Sequence, residues 1–129
     1  MNRWTRPFAL VVGATVAAQG LWAFIAPRSF FDALATFEPY NAHFLRDIGA
    51  GMFGVGTAGF VAALHPRPLV AGLSGLTAFQ VVHVLAHVID RDRGGNPGFD
   101  IPMFAVLAVL TGVALLSELR STPGSDRPR

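Results

Sequence analysis

Cysteine and lysine are both missing from this 129-residue chain, and charge of either sign is scarce. Without cysteine there are no disulfide staples, no thiolate metal sites and no cysteine nucleophile. Without lysine, none of the glycine-rich stretches can act as a phosphate loop, which needs a lysine after its last glycine and a strand-to-helix setting. Charged residues make up 14% of the chain, against about 25% in an ordinary soluble domain. All ten basic residues are arginines, scattered rather than gathered into the basic stripe that nucleic-acid binding requires.

What is abundant is apolar: 52% of the residues are hydrophobic. Four stretches stand against the roughly 20 residues that cross a hydrocarbon core. Pro7 to Ala26 carries no charge and is long enough. Ile48 to Leu64 is short but extends back to Phe44 if Arg46 and Asp47 face protein or the interface. Leu69 to Ile89 is interrupted only by His83 and His87. Ile101 to Leu116 falls about four residues short and reaches the interface through Ser117 to Leu119. The expected fold is all-α: an integral membrane four-helix, up-down-up-down bundle over residues 1–120, with a disordered tail over 121–129.

The connections read as hairpins. "HPRP", residues 65 to 68, is a tight turn whose prolines stop a helix. "DRDRGGNPGFD", residues 90 to 100, is a polar, glycine-rich loop, with Asp100 as the expected N-cap of the last helix. Between Pro27 and Tyr40, "SFFD" matches a capping box of Ser29 with Asp32. Phe30, Phe31, Leu34 and Phe37 fall on roughly one side of a short amphipathic helix, read as lying along the membrane surface between the first two spans. Trp4 and Trp22 bracket the first span as interface anchors, and Tyr40 sits at the mouth of the second.

Charge sets the expected orientation. One face holds Arg3, Arg6, Arg67, Arg120, Arg127 and Arg129 with Glu118 and Asp126. The other holds Arg28, Arg46, Arg91 and Arg93 with Asp32, Glu38, Asp47, Asp90, Asp92 and Asp100. The arginine excess puts both termini in the cytoplasm of a cell (plasma) membrane protein. A signal peptide cut after Ala18 is the rival reading, but the apolar run continues to Ala26 and favours an uncleaved anchor.

Small residues mark expected helix contacts. Ala50, Gly54, Ala58 and Ala62 recur every fourth residue on the second span, Gly13 with Ala17 and Ala14 with Ala18 on the first, and Ala71 with Gly75 on the third. Homo-oligomers built on such seams fit equally well.

The candidate site is "HVLAH", residues 83 to 87. At 100° per residue, Gln80, His83, His87 and Asp90 form one polar stripe. His43, Arg46 and Asp47 share a face of the second span that runs on into Ala50 and Gly54, so both stripes are expected to point into the bundle at one level. Gln19 is the one further polar group that could join them.

"YNAHFLRDIGAGMFGVGTAGFVAAL" followed by "HVLAH" resembles the small four-helix actinobacterial integral membrane proteins of unknown function loosely grouped as DoxX-like. The resemblance covers the central half of the chain. It implies an Asn-x-His-x-x-Arg-Asp-x-Gly motif and a His-x-x-x-His pair, carried here by Asn41, His43, Arg46, Asp47, Gly49, His83 and His87.

Three readings of the cluster stand side by side. It is a buried hydrogen-bond and ion-pair network fixing helix register. Or it is a metal site in which His43, Asp47, His83 and His87 hold a transition metal such as zinc. Or it is a small-ligand or proton pathway with possible redox use. Four histidines are too few for a membrane di-iron oxygenase, and two on one helical turn cannot clamp both faces of a haem. Ser74 lies in an apolar helix, where a bond to its own backbone is expected. The reading favours a non-enzymatic or accessory membrane protein without a cofactor, and its alternative is metal or ligand binding through His43, His83 and His87.

Overall fold

The computed structural model describes residues 3–65 and 68–121. Its helices are α1 (Thr5–Ile25), α2 (Pro27–Ala33), α3 (Ala42–Leu64), α4 (Leu69–Ile89) and α5 (Pro97–Ser121). α1, α3, α4 and α5 are each long and apolar enough to cross a membrane. They overlap the four apolar stretches, and α2 is a short helix where one was expected between the first two, but it ends at Ala33 and leaves Leu34 and Phe37 beyond it. Large apolar side chains also cover the outside: Ile25, Val82 and Ile89 are each about two-thirds exposed or more. That inverts the surface of a water-soluble bundle.

α1 packs most extensively on α3, and α4 on α5. The first pairing is a contact of backbones. A Cβ on Gly56 would stand 2.3 Å from Ala17 N, one on Gly13 2.5 Å from Phe60 N, and one on Gly20 2.4 Å from Phe53 N. Only glycine permits that approach. The partner numbers fall along α3 as they rise along α1, so the two helices are antiparallel. Gly59 against Leu76 and Gly72 against Ala62 give the same sense to α3 and α4.

The expected Gly13–Ala17 contact is therefore present, but the other seams are displaced. α3 buries Leu45, Gly49, Met52, Gly56, Gly59 and Ala63, while Gly54 and Gly51 face open space. A strict four-residue repeat drifts by about 40° per step at 100° per residue. Ala50, Gly54 and Ala58 thus lie on the outer side, and only Ala62 has rotated far enough to be buried, against Gly72 of α4. Ala14, Ala18, Ala71 and Gly75 are exposed as well.

One end of the bundle is fastened by polar groups. The Thr5 hydroxyl donates to the Glu118 carboxylate, joining α1 to the end of α5. The Arg6 guanidinium donates to the carbonyls of Ala63 and His65 at the end of α3, both at 3.0 Å. Glu118 is only 6% exposed, and Ala9, Ala63, Leu69, Leu73 and Ala114 pack as an apolar cluster in this half of the bundle.

The helix starts correct two expectations. Ser29 and Asp32 form no capping box: Pro27 opens α2, Asp32 pairs with Arg28 at 2.9 Å, and the Ser29 hydroxyl accepts from the Trp22 indole at 3.3 Å. Asp100 is not an N-cap, because α5 starts at Pro97, and a proline is favoured at a first helical position. Of the expected turn at 65–68, His65 caps α3 and Pro68 caps α4, while residues 66 and 67 lie outside the described residues. Helix α5 takes in Ser121, and the rest of the expected tail, 122–129, also lies outside them.

Candidate ligand cavity

At the end opposite the Thr5–Glu118 contact, a cavity of about 890 Å³ separates the α1–α3 pair from the α4–α5 pair. Its wall includes Phe30 and Phe31 of α2 and Leu34 just after it, Phe44, Ile48 and Met52 of α3, Phe79 and Val82 of α4, and Met103 and Phe104 of α5. Gln19 of α1 reaches it too. The polar groups of the α4–α5 side are His83, His87, Asp90 and Asp100.

α2 is held over the cavity by its own chemistry. Phe30 packs edge-on against Trp22, and Phe31 against Tyr40. The Arg28 guanidinium lies 5.0 Å over the Tyr40 ring, and its hydrogen bond to Asp32 holds it even more firmly protonated than usual. Beyond α2, the Gly95 N–H donates to the Thr36 carbonyl at 3.2 Å, which docks the loop after α2 onto the α4–α5 loop. Gly95 adopts φ +69°, a left-handed conformation that suits glycine. This docking places Phe37 edge-on to His87, with ring centroids 5.6 Å apart.

The two imidazoles meet. His83 Nε2 and His87 Nε2 are 3.2 Å apart. Phe104 packs tilted against both rings, at 4.1 and 4.8 Å between centroids, and Phe79 meets His83 edge-on. His87 Nδ1 faces Asp100 Oδ2 at 3.9 Å, with the side chains 12% and 15% exposed. That is an ion-pair distance, too long for a hydrogen bond. Asp100 also accepts the Asn96 N–H at 2.8 Å, so it closes the first turn of α5, where the helix dipole favours a carboxylate.

Asp100, Phe104 and Phe37 are the site residues that sequence reasoning missed. Asn96-Pro97 carried the signal for Asp100: taken as cap and first helical residue, the pair puts Asp100 one turn inside α5.

His43, Arg46 and Asp47 are not part of this cluster. The His43 and Asp47 side chains are 87% and 67% exposed and pair only with each other, at 3.5 Å, and Arg46 is exposed beside them. Leu45 and Gly49 hold the inward positions of this turn, and His43 and Asp47 lie roughly 160–200° around the helix from Leu45. Asn41 and Gly49, the outer members of the motif, have structural places. The Asn41 side chain accepts the Phe44 N–H at 3.0 Å as the N-cap of α3. Gly49 faces Gly20 and Phe24 of α1 at backbone contact.

Asp90 caps α4 and pairs with Arg93 at 3.2 Å rather than with an imidazole. Gln80 is 2% exposed, and its Oε1, like Thr77 Oγ1 and His83 Nδ1, is buried without a hydrogen-bond partner among the described residues. The four expected metal ligands are thus divided. Among the described residues, no group of three or more His, Cys, Asp or Glu side chains is arranged to hold a metal ion.

Comparison with protein-family models, with curated proteins and with solved structures gives no match. The function is therefore argued from the cavity itself.

Proposed function

We propose that this chain is a small multi-pass membrane protein that binds an apolar small molecule in the cavity beside His83 and His87, in a non-enzymatic role. The observation that carries this reading is the cavity: about 890 Å³, walled mainly by aromatic and aliphatic side chains, with a few polar groups converging from α4 and α5. Small-molecule sites have this size and this make-up. The arginine count supports a cell-membrane orientation with both termini in the cytoplasm and the cavity toward the outer face. The resemblance to small DoxX-like membrane proteins belongs to the proposal and rests on Asn41 to Gly49 with His83 and His87.

The test is native mass spectrometry of nanodisc-held protein titrated with octylbenzene. A 1:1 adduct is expected, lost in Gly75→Trp. Gly75 lines the cavity and a Cβ there meets nothing within 4 Å, so the indole fills the cavity without displacing a neighbour. An adduct unchanged by Gly75→Trp would remove the ligand from the cavity and overturn the reading.

One observation favours a second reading, a metal ion held by the imidazole pair alone. Two Nε2 atoms 3.2 Å apart suit a shared ion, and a carboxylate behind His87 Nδ1 is a common support for a ligating histidine. Elemental analysis separates the two: this reading requires near-stoichiometric metal that is lost in His83→Ala and His87→Ala.

A further inference from the structure

Resting on the cavity-binding reading, we propose that the cavity opens sideways between α3 and α4 into the hydrocarbon of the bilayer, and that its occupant is an acyl chain of a membrane lipid entering through that opening.

The opening follows from how the two helices diverge. α3 and α4 are in contact where Gly59 meets Leu76 and Gly72 meets Ala62, toward the fastened end. Continued along the antiparallel pair, that register sets Met52 level with His83 and Ile48 level with His87, and there all four line the cavity. Apart from Phe99 in the first turn of α5, the exposed wall residues within the spans are Phe44 and Ile48 of α3 and Gly75, Ala78, Val82 and Ala86 of α4. The last four recur at helical spacing and form one edge of the opening, and the first two form the other. Gln19 of α1 and Met103 and Phe104 of α5 are half-buried, and at the end of the bundle α2 and the Thr36–Gly95 contact lie over the cavity.

The charge pattern of the wall is complementary to a lipid. Neither edge carries a charged side chain. Asp90 and Asp100 lie at the outer end of the cavity, where α4 finishes and α5 starts, the level at which lipid headgroups sit. Deeper than Met52 and His83 the wall consists of Val55, Gly75, Ala78 and Phe79, with no polar side chain among the described residues. Water at that depth would lack the two or more polar partners it needs. Left empty, the wall would forfeit its dispersion contacts. A hydrocarbon chain from the adjoining bilayer supplies them at no cost in hydrogen bonds. The volume excludes a wider occupant. On α4 the wall runs from Gly75 to Asp90, about 22 Å along the helix axis. A helix of a second copy, about 10 Å across, would need roughly twice the cavity's volume of about 890 Å³ over that length.

The experiment photolyses nanodiscs of phosphatidylcholine in which one acyl chain carries a diazirine near its end, and maps the adducts by peptide mass spectrometry. Octylbenzene binding is measured in parallel. Phe79, which packs inward against the cluster of Val12, Val16, Met52 and Leu76, is expected to be labelled. Val106, 57% exposed on α5, reports the lipid that touches the outside. Val82→Trp narrows the opening from an exposed position and should remove the Phe79 label while keeping that of Val106. Val82→Ala should keep both. No Phe79 label in wild type that still binds octylbenzene would overturn the lipid assignment and leave the cavity reading standing. That result together with a dimer in native mass spectra would give the opening to a second copy. A Phe79 label that survives Val82→Trp would overturn the route between α3 and α4. If neither the chain nor octylbenzene reaches the cavity, the cavity reading itself falls.

Discussion

Between α1 and α3, backbones touch: Gly13, Gly20, Gly49 and Gly56 leave no room for a Cβ, and Thr5, Arg6 and Glu118 fasten the end of that half. Around the cavity the contacts are made by large side chains. Phe30, Phe31, Phe37 and Phe104 prop the helices around empty volume, and the loops close over it through one Gly95–Thr36 hydrogen bond. Close backbone packing, driven by van der Waals contact between small residues, gives a rigid pair with nothing left to bind. Aromatic packing spaces helices apart and leaves polar atoms inside without partners. Tight packing and open volume thus lie side by side: α1 and α3 are closed along their length, and the cavity lies between that pair and α4–α5 at one end.

The comparison is broken most severely at Gly56. Gly56→Leu puts a side chain where a Cβ alone already stands 2.3 Å from Ala17 N. We expect a loss of about 3 kcal/mol or more, read as collapse of the folded fraction in an SDS titration. Gly54→Leu, two residues away and facing open space, should change stability by less than about 0.5 kcal/mol. Equal losses would mean that α1 and α3 meet on the face predicted from the four-residue repeat.

At the fastened end, Glu118→Ala removes a 6%-exposed carboxylate and the hydrogen bond it accepts from the Thr5 hydroxyl. A cost of about 1–3 kcal/mol is expected, with ligand binding at the far end unaltered. At the cavity end, Gly95→Ala forces a Cβ residue to φ +69° and brings that Cβ within 2.8 Å of the Phe37 ring. The left-handed conformation alone costs about 1–2 kcal/mol. It should appear as faster hydrogen exchange at the Gly95 amide and weaker octylbenzene binding, with little change in the SDS midpoint. A change in that midpoint as large as the Glu118→Ala change would show that loop docking stabilises the whole bundle.

The spans were legible because their signal, apolar length, sums over some twenty residues and tolerates errors at the ends. α4 was read to the residue and α5 was read four residues late at its start, where Asn96-Pro97 was taken for loop. The face of α3 was not legible from its small residues. Alanine and glycine occur on both its inner and outer sides, and the inner seam runs through Leu45 and Met52, which carry no small-residue signature. For the site, the pairing of His83 with His87 follows from their spacing, and Asp100 follows only once the start of α5 is known. Phe104 could not be read, since an aromatic residue in an apolar span looks the same whether it faces lipid or an imidazole.

The smallest expected effect sharpens the division between the two polar sets. The His43–Asp47 pair is exposed and sits across α3 from the cavity-facing Leu45. An exposed pair of this kind contributes about 0–1 kcal/mol. His43→Ala should therefore shift the SDS midpoint by no more than that and leave octylbenzene binding at its wild-type value. Binding altered by His43→Ala would connect the outer face of α3 to the cavity and return His43 to the site. Unaltered binding separates these groups physically: Asn41 and Gly49 build α3, His83 and His87 line the cavity, and His43, Arg46 and Asp47 are left exposed on its outer side as polar groups that folding does not require.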